Sequence, residues 1–443
     1  MSHSFKGGVR PSYKKEYTYA SPIETPKDSE FLVFPLKQHI GKACHPVVRV
    51  GERVLMGQKI ADSNEFVSCP IHSSVSGVVV AIEPCGTING TQEMSIVIKN
   101  DFVNTQLDKP FDVPNKPIEE LLPEEIIKIA RDAGIVGMGG AAFPTAVKLS
   151  AALENKVHTL IINGTECEPY ITSDHRAMLE YPRVILGGIE LIMQCLGLSK
   201  AFLAIEDNKE DAIATMKSVS RKSSLEIKEL RTKYPQGGEK QLIKSITGVE
   251  VPPSKLPLDV GCVVFNVDTC ASLYRAVANN TPLIKRIVTI SGTRILHSHN
   301  LIVRIGTPIN DLIEHCGGFS KEPKKIIVGG PMMGVAISSL DVPIMKGSNA
   351  VLAFGSREVY NTKNPTCIRC GKCVSACPMN LLPVYIDMYA QKDELNECAK
   401  LNVMDCIECG CCAFICPGRL NLVQTIRDAK QKICDLQFKG ETL

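Results

Sequence analysis

Two cysteine runs near the C-terminal end of the 443-residue chain have residue types and spacing suited to binding iron–sulfur clusters. Each run has the pattern C-x2-C-x2-C-x3-C-P. In a pair of such runs, three closely spaced thiolates of one run hold one [4Fe–4S] cluster, and its fourth cysteine holds the other cluster. The eight cysteines are Cys367, Cys370, Cys373, Cys377, Cys406, Cys409, Cys412 and Cys416. We therefore predict two [4Fe–4S] clusters that carry single electrons.

The predicted ligands are crossed between the two runs. One cluster is assigned to Cys367, Cys370, Cys373 and Cys416. The other is assigned to Cys377, Cys406, Cys409 and Cys412. The chain has 19 cysteines, so eleven of them (19 − 8), including Cys411 inside the second run, are predicted not to bind iron.

Two other uses of these cysteines are disfavoured. Structural zinc sites prefer separated cysteine pairs, and disulfides persist in oxidising compartments. The first residues of the chain have no apolar core of the kind that a secretory signal needs. We therefore expect reduced cysteines in a reducing compartment.

The bulk composition excludes some classes of partner. The net charge is +3 and the basic residues are dispersed, so no nucleic-acid partner is expected. The longest apolar stretch, 184–198, is short and contains Glu190, so no membrane span is predicted. A role at a membrane is expected to come through partner proteins. The segment 378–405, between the cysteine runs, has helical apolar spacing and predicts a helical cluster domain.

A second stretch with chemical potential is the glycine-rich segment 134–148. Gly137, Gly139 and Ala142 formally match a dinucleotide fingerprint, but a predicted helix and not a strand precedes them, which argues against an ordinary Rossmann site. Main-chain amides of a glycine loop that opens a helix can still bind a phosphate, and Lys148 lies about one turn further on. The alternative is a tight turn between two helices.

Polar residues follow the predicted strands of an α/β region. Glu166 and Glu168 come directly after the apolar segment 157–163, where a ligand crevice forms in an open α/β sheet. They can accept hydrogen bonds from ribose hydroxyls, or they can form a solvated acidic turn. A second glycine turn, 234–240, precedes another predicted helix.

The N-terminal third has short Val/Ile runs between glycine turns, which predict a small β domain similar to lipoyl and biotinyl carriers. Such carriers hold their cofactor on a hairpin lysine. No lysine occurs between Lys59 and Lys99, so we predict a docking module without a covalent cofactor; an unrelated β domain is the alternative. Strands around one helix after residue 281 predict a small β-grasp-like domain.

The order of these motifs resembles a known family. The 137–148 loop is similar to the flavin loop of the NADH-oxidising 51 kDa subunit of respiratory complex I, and 163–169 is similar to its second nucleotide loop. The whole order, from 5–8 and 35–41 to the clusters, resembles the RnfC family. These are the peripheral subunits of Rnf ion-translocating ferredoxin:NAD oxidoreductase complexes.

The resemblance implies non-covalent FMN and NADH in one pocket. The residues carried over as cofactor-binding are Gly137, Gly139, Gly140, Lys148, Asn163, Glu166, Glu168, Tyr234, Glu239, Asn266 and Thr269. Glu166 and Glu168 are the predicted catalytic pair. The sequence departs from the relative at Met138 (Arg there), at Ala142 (Gly there) and in the loop of Tyr234 and Glu239, which has one extra residue and one Glu where the relative has two.

The resemblance also implies the architecture, a multidomain α/β fold. The predicted units are an arm with a barrel-sandwich module (1–110), a Rossmann-like FMN/NADH domain (117–280), an SLBB-like β-grasp domain (281–350) and a helical dicluster domain (360–443). The implied partners are the other Rnf subunits, NADH and, through the complex, ferredoxin, at the cytoplasmic face of the membrane. Two alternatives are a soluble cobalamin reductase of similar sequence and an electron-transfer subunit without a flavin site.

Overall fold

The computed structural model describes residues 4–359 and 365–438. The predicted multidomain α/β architecture is confirmed: two small antiparallel sheets, a parallel sheet between helices, a mixed sheet and a set of short helices follow one another along the chain. Before them, the N-terminal arm (residues 4–24) is largely extended, with one 3-10 turn at Lys15–Tyr17 and a short strand, β1 (Ile23–Glu24).

The barrel-sandwich module is built from two antiparallel sheets. One has the order β2-β8-β7-β4 and the other β3-β5-β6. Alternating apolar residues place Leu32, Phe34, Ile96 and Ile98 in a common core with no exposed surface. The strands are β2 (Phe31–Pro35), β3 (His45–Pro46), β4 (Arg53–Val54), β5 (Lys59–Asp62), β6 (Ile71–His72), β7 (Gly77–Gly86) and β8 (Gln92–Asn100).

The segment between β5 and β6, where a carrier would present its lysine, contains an exposed Phe66. Lys59, the nearest lysine before it, forms an ion pair of 2.7 Å with Asp62. We predict that the intact mass of protein from its native host equals that of the unmodified polypeptide after the non-covalent cofactors are removed. A mass increment of lipoate or biotin would contradict this.

The central domain has a four-stranded parallel sheet in the order β11-β10-β9-β12. Pro123 opens the helix that precedes the glycine loop, and Gly134, at φ +68°, follows its end. The elements are α1 (Pro123–Asp132), α2 (Thr145–Glu154), β9 (Thr159–Asn163), α3 (Ser173–Glu180), α4 (Pro182–Leu196), β10 (Ala201–Glu206), α5 (Glu210–Val219), β11 (Leu225–Leu230), α6 (Glu239–Thr247), β12 (Cys262–Asn266) and α7 (Val267–Asn279).

The β-grasp region is a six-stranded mixed sheet packed on one helix, and it takes its edge strand from the arm. Its order is β1-β14-β13-β17-β15-β16, with Ile23 and Glu24 paired in parallel with Asn300 and Leu301. The elements are β13 (Lys285–Ser291), β14 (His299–Arg304), α8 (Ile309–His315), β15 (Lys325–Val328), β16 (Val335–Ile337) and β17 (Ala350–Phe354).

The cysteine runs lie in a helical domain, as the spacing between them predicted. Each run enters a five-residue helix after a glycine at positive φ, Gly371 in the first and Gly410 in the second. The helices are α9 (Lys372–Ala376), α10 (Pro383–Ala390), α11 (Leu395–Lys400), α12 (Cys411–Ile415) and α13 (Leu422–Phe438). Within the two described ranges, no helix combines the length and apolar character needed to cross a bilayer.

Candidate functional site

The glycine loop between α1 and α2 is open on one side. Gly139, Gly140 and Ala141 are exposed, and within the described residues their amides make no hydrogen bond. Bonds at the base of the loop, from the Gly137 amide to the Phe143 carbonyl (2.7 Å) and from the Ala142 amide to the Gly137 carbonyl (3.1 Å), hold its shape. The loop therefore presents free N–H donors at the start of α2, where an anion is favoured.

The glycines of this loop fit a bound phosphate better than they fit a packing requirement of the protein. A Cβ atom at Gly137 would meet nothing closer than 3.6 Å, and one at Gly139 nothing closer than 3.8 Å. Neither has a positive φ; only Gly140, at +110°, needs glycine for its conformation. Since the protein leaves this space open, the loop has room for the phosphate of FMN against its backbone.

Lys148 and Glu239, predicted from different loops, meet in an ion pair. The Lys148 ammonium lies 2.7 Å from the Glu239 carboxylate and 5.5 Å from the centre of the Phe265 ring. Both side chains are partly exposed. The lysine is thus held at the first turn of α2, where its charge can contribute to binding a phosphate.

We predict that Lys148→Ala weakens FMN binding by about tenfold or more, because a hydrogen bond to a charged group contributes roughly 1.5–3 kcal/mol. Fluorescence titration of the flavin-free protein measures this. The change also leaves the Glu239 charge uncompensated, so Lys148→Ala with Glu239→Gln should recover part of the loss. Lys128→Ala, which removes a surface ammonium paired with Asp132, is the control; equal affinity in Lys148→Ala and this control would contradict the prediction.

Asn163 and Asn266 lie side by side at the carboxyl ends of adjacent strands, where open α/β sheets bind ligands. The Asn163 side chain donates to the Gly237 carbonyl at 3.0 Å. The Asn266 amide group donates to Asp174 at 2.6 Å, and its oxygen caps α7. Thr269 accepts a hydrogen bond from the Met138 amide at 2.9 Å, which ties the glycine loop to α7.

The two predicted catalytic carboxylates are both buried, and each already accepts hydrogen bonds. Glu166 accepts from the Asp174 amide at 2.6 Å. Glu168 accepts from the amides of Met332 (3.1 Å) and Met333 (2.9 Å), in the turn before β16. Burial raises the pKa of Glu168 to about 7, although these amide hydrogen bonds favour its charged form. The alternative of a solvated acidic turn is therefore wrong.

Three further residues hold these loops and were missed in the sequence. Asp174 is fully enclosed, and burial together with Glu166 and Asp268 raises its pKa to about 8. Arg286, from β13, donates to the carbonyls of Met138 (3.1 Å) and Lys346 (2.6 Å) beneath the glycine loop. Lys15 contacts the loop of the two glutamates from the N-terminal arm. None belongs to a motif, since each acts across a long stretch of sequence.

Tyr234 lies on the cluster side of its loop. The side chain is fully buried, and its hydroxyl donates to the Cys409 carbonyl at 2.7 Å. The thiol of Cys411 in turn lies 3.9 Å from the Tyr234 carbonyl. This loop, which also contacts Asn163 through Gly237, therefore joins the carboxyl edge of the parallel sheet to the second cysteine run.

The second cysteine run forms an apolar cavity of about 370 Å³ together with the last cysteine of the first run. The predicted ligands that line it are Cys377, Cys406, Cys409 and Cys412. Cys411 lines the same cavity, while its thiol points towards Tyr234. This is the set of four that the crossed assignment requires.

The other predicted set lies nearer the surface. Cys367 and Cys370 are exposed, Cys373 and Cys416 are close enough to influence each other electrostatically, and a Cβ at Gly418 would lie 3.8 Å from the Cys367 amide. In the described part of the chain, no three His, Cys, Asp or Glu side chains converge on a single ion. Four-iron clusters need ligands spread more widely than one ion does, so the cysteines fit a cluster and not a mononuclear site.

Four family models match consecutive parts of the chain. They are the RnfC barrel sandwich hybrid domain (3–103), the Nuo51 FMN-binding domain (130–275), the SLBB domain (287–336) and the 4Fe-4S dicluster domain (360–417). The RnfC-type subunit of the Na(+)-translocating ferredoxin:NAD(+) oxidoreductase complex of Acetobacterium woodii is 44% identical, over 99% of this chain and 98% of its own. The chain belongs to the RnfC family.

A second RnfC relative confirms the breadth of the match. The corresponding subunit of the proton-translocating ferredoxin:NAD(+) oxidoreductase complex of Clostridium ljungdahlii is 47% identical, over 98% of this chain and 94% of its own. Family membership confirms FMN and two [4Fe–4S] clusters as the cofactors and electron transfer within an oxidoreductase complex as the activity. It also decides against a cobalamin reductase and against a subunit without a flavin site.

The fold has a counterpart among solved structures. The NAD+-reducing [NiFe]-hydrogenase in its H2-reduced state superposes with a TM-score of 0.50 over 74% of this chain and 68% of that chain, at 19% identity. At this identity the likeness concerns the fold alone.

Proposed function

We propose that this RnfC chain is the NAD(H)-reacting subunit of its complex, at the cytoplasmic face of the membrane. The 137–140 loop and Lys148 would hold the FMN phosphate, and the loop of Glu166 and Glu168 would face the nicotinamide. When bound, FMN exchanges an electron pair with NAD(H) and single electrons with the clusters. The two relatives differ in the ion that their names give, and the proposal leaves the ion to the partner subunits.

One observation carries the proposal: a single set of contacts joins the glycine loop to the buried cluster cavity. Asn266 lies against Gly139 and bonds Asp174, whose amide bonds Glu166. Two residues along the chain, Glu168 bonds Met332, and a Cβ at Gly410 would lie 2.7 Å from the Met332 carbonyl. The cluster of Cys377, Cys406, Cys409 and Cys412 is thus placed to exchange electrons with the flavin first, and the exposed cluster with a partner subunit.

The test is the reaction of the separated subunit, purified under anaerobic conditions with its flavin and clusters. NADH should bleach the flavin absorbance and produce the electron paramagnetic resonance signals of reduced clusters, and an artificial acceptor should then sustain NADH oxidation. Failure of NADH to reduce a subunit that holds full FMN and iron would overturn the proposal. Purification from native membranes should recover the other Rnf subunits together with this chain.

We further predict that Glu166→Gln spares FMN binding but lowers kcat/KM for NADH by about tenfold or more, as loss of one charged contact would. The amide oxygen of glutamine can still accept from the Asp174 amide, so α3 should keep its start. Steady-state kinetics on FMN-saturated protein measures this, with the exposed Glu154→Gln in α2 as control. Unchanged kcat/KM in Glu166→Gln would remove this carboxylate from the proposed site.

A further inference from the structure

The N-terminal arm runs between three parts of the molecule. Gly8 donates to the Ala376 carbonyl at 2.8 Å, directly before the cluster ligand Cys377. Val9 pairs with Tyr234 in both directions, at 2.8 and 2.9 Å. Further along, the Tyr13 carbonyl accepts from the Tyr170 amide at 2.7 Å. The arm therefore contacts the cluster domain and two nucleotide loops before it pairs with β14.

The glycine pair near the start of the arm is required by this path. Gly7 and Gly8 have φ values of +68° and +77°. A Cβ on Gly7 would lie 2.5 Å from the Cys377 carbonyl, and one on Gly8 would lie 2.5 Å from the Tyr234 carbonyl. Phe5, just before them, accepts from Lys233 through its carbonyl at 2.7 Å and lies under the same ammonium at 4.1 Å. The 5–8 segment therefore fastens the arm to the cluster side.

Lys15 fastens the other end of the arm to the loop of Glu166 and Glu168. Its buried ammonium donates to the carbonyls of Ile171 (2.5 Å), Glu166 (2.8 Å) and Glu168 (3.1 Å). All three of its N–H donors are thus used on one short loop. The Glu166 carboxylate lies 3.6 Å away and neutralises the charge.

The loop needs such an anchor because its backbone is strained. Glu166 and Tyr170, neither of them glycine, have φ values of +45° and +67°. Such conformations persist only where surrounding contacts enforce them. Lys209 supplies a second anchor by donating to the Thr165 carbonyl at 2.6 Å. Two buried ammonium groups, one from the arm and one from the domain itself, hold the loop's carbonyls.

We propose that the N-terminal arm is a strap that completes the nucleotide site from outside the flavin domain, with Lys15 as the positioning residue that fixes the loop of Glu166 and Glu168. The inference rests on the proposed function, since it assumes that this loop faces the nicotinamide. Lys15 does not touch the cofactor. It acts through the loop, and the same arm ties that loop to the residue before Cys377.

The test compares Lys15→Met with Lys14→Met in the full chain. Lys14 is the neighbouring exposed lysine, whose ammonium lies 3.6 Å from Glu16. Lys15→Met should keep FMN and iron near the wild-type content, while NAD+ affinity, measured by calorimetry, and kcat/KM for NADH each fall by about tenfold or more. Lys14→Met should match the wild type in every measurement. In Lys15→Ala, added n-propylamine should restore part of the NAD+ affinity, which a general loss of stability would not allow.

The outcomes separate the strap from the proposed function. If the wild type neither binds NAD+ nor oxidises NADH, the proposed function fails. If the wild type does both and Lys15→Met matches it, the strap inference fails alone. If Lys15→Met loses FMN and iron together, Thr18→Val decides, because it removes only the 2.6 Å hydroxyl bond between the arm and Thr172. Reduced NAD+ affinity in Thr18→Val would support the strap, and unchanged affinity would overturn it.

Discussion

Gly139→Val is expected to abolish FMN binding while the protein stays folded. The Cβ of a valine would meet Asn266 only at an ordinary distance of 3.8 Å, and φ at this residue is not positive. The methyl groups would fill the open side of the loop, where a phosphate would otherwise approach the free amides. Loss of two hydrogen bonds to a charged phosphate, each worth roughly 1.5–3 kcal/mol, lowers the affinity by at least about a hundredfold.

Titration of flavin-free protein with FMN measures this effect, and iron content shows that the cluster domain is intact. Gly90→Val is the matched control, because Gly90 also faces open space but lies in the turn between β7 and β8. Gly140→Val should lose FMN too, but its φ of +110° adds backbone strain, so Gly139 gives the cleaner answer. Wild-type FMN affinity in Gly139→Val would place the flavin phosphate elsewhere in the molecule.

The sequence predicted the parts of this molecule that rest on local spacing. Eight cysteines at fixed intervals leave few alternatives to two clusters, because both runs repeat the same ligand geometry. Pro123 and Gly134 bracket α1, and the apolar segments that follow become β9, β10 and β12 of a parallel sheet. Such signals depend on residues within a turn or a strand of each other, so they can be read without knowing the tertiary structure.

Contacts that bridge distant segments could not be read in this way. Lys15 lies 151 residues from Glu166, and in the sequence it looks like one charge among many in a polar arm. Arg286 reaches Met138 across 148 residues, and nothing in its strand marks it for that role. Tyr234 was grouped with the nucleotide residues by its loop, whereas its hydroxyl bonds a carbonyl of the second cysteine run. Strand order and domain packing decide such contacts.

The crossed ligation makes a prediction in which two double variants give opposite results. Cys377 and Cys409 line one cavity although they come from different runs. Cys377→Ala with Cys409→Ala should therefore remove one cluster and leave about four of the roughly eight iron atoms. Cys373→Ala with Cys377→Ala, two changes within one run, should damage both clusters and leave little iron. If each run held its own cluster, the two results would be exchanged.

Iron analysis of anaerobically reconstituted protein, with electron paramagnetic resonance of the reduced state, distinguishes the two assignments. Cys411→Ser is the control, because the Cys411 thiol points to the Tyr234 carbonyl and the residue is predicted not to bind iron. It should keep about eight iron atoms per chain. The first double variant should also lose the transfer of electrons from the flavin to the remaining cluster. The cluster that it removes is the one whose cavity lies against Tyr234 and Met332, between the proposed flavin site and the exposed cysteines Cys367 and Cys370.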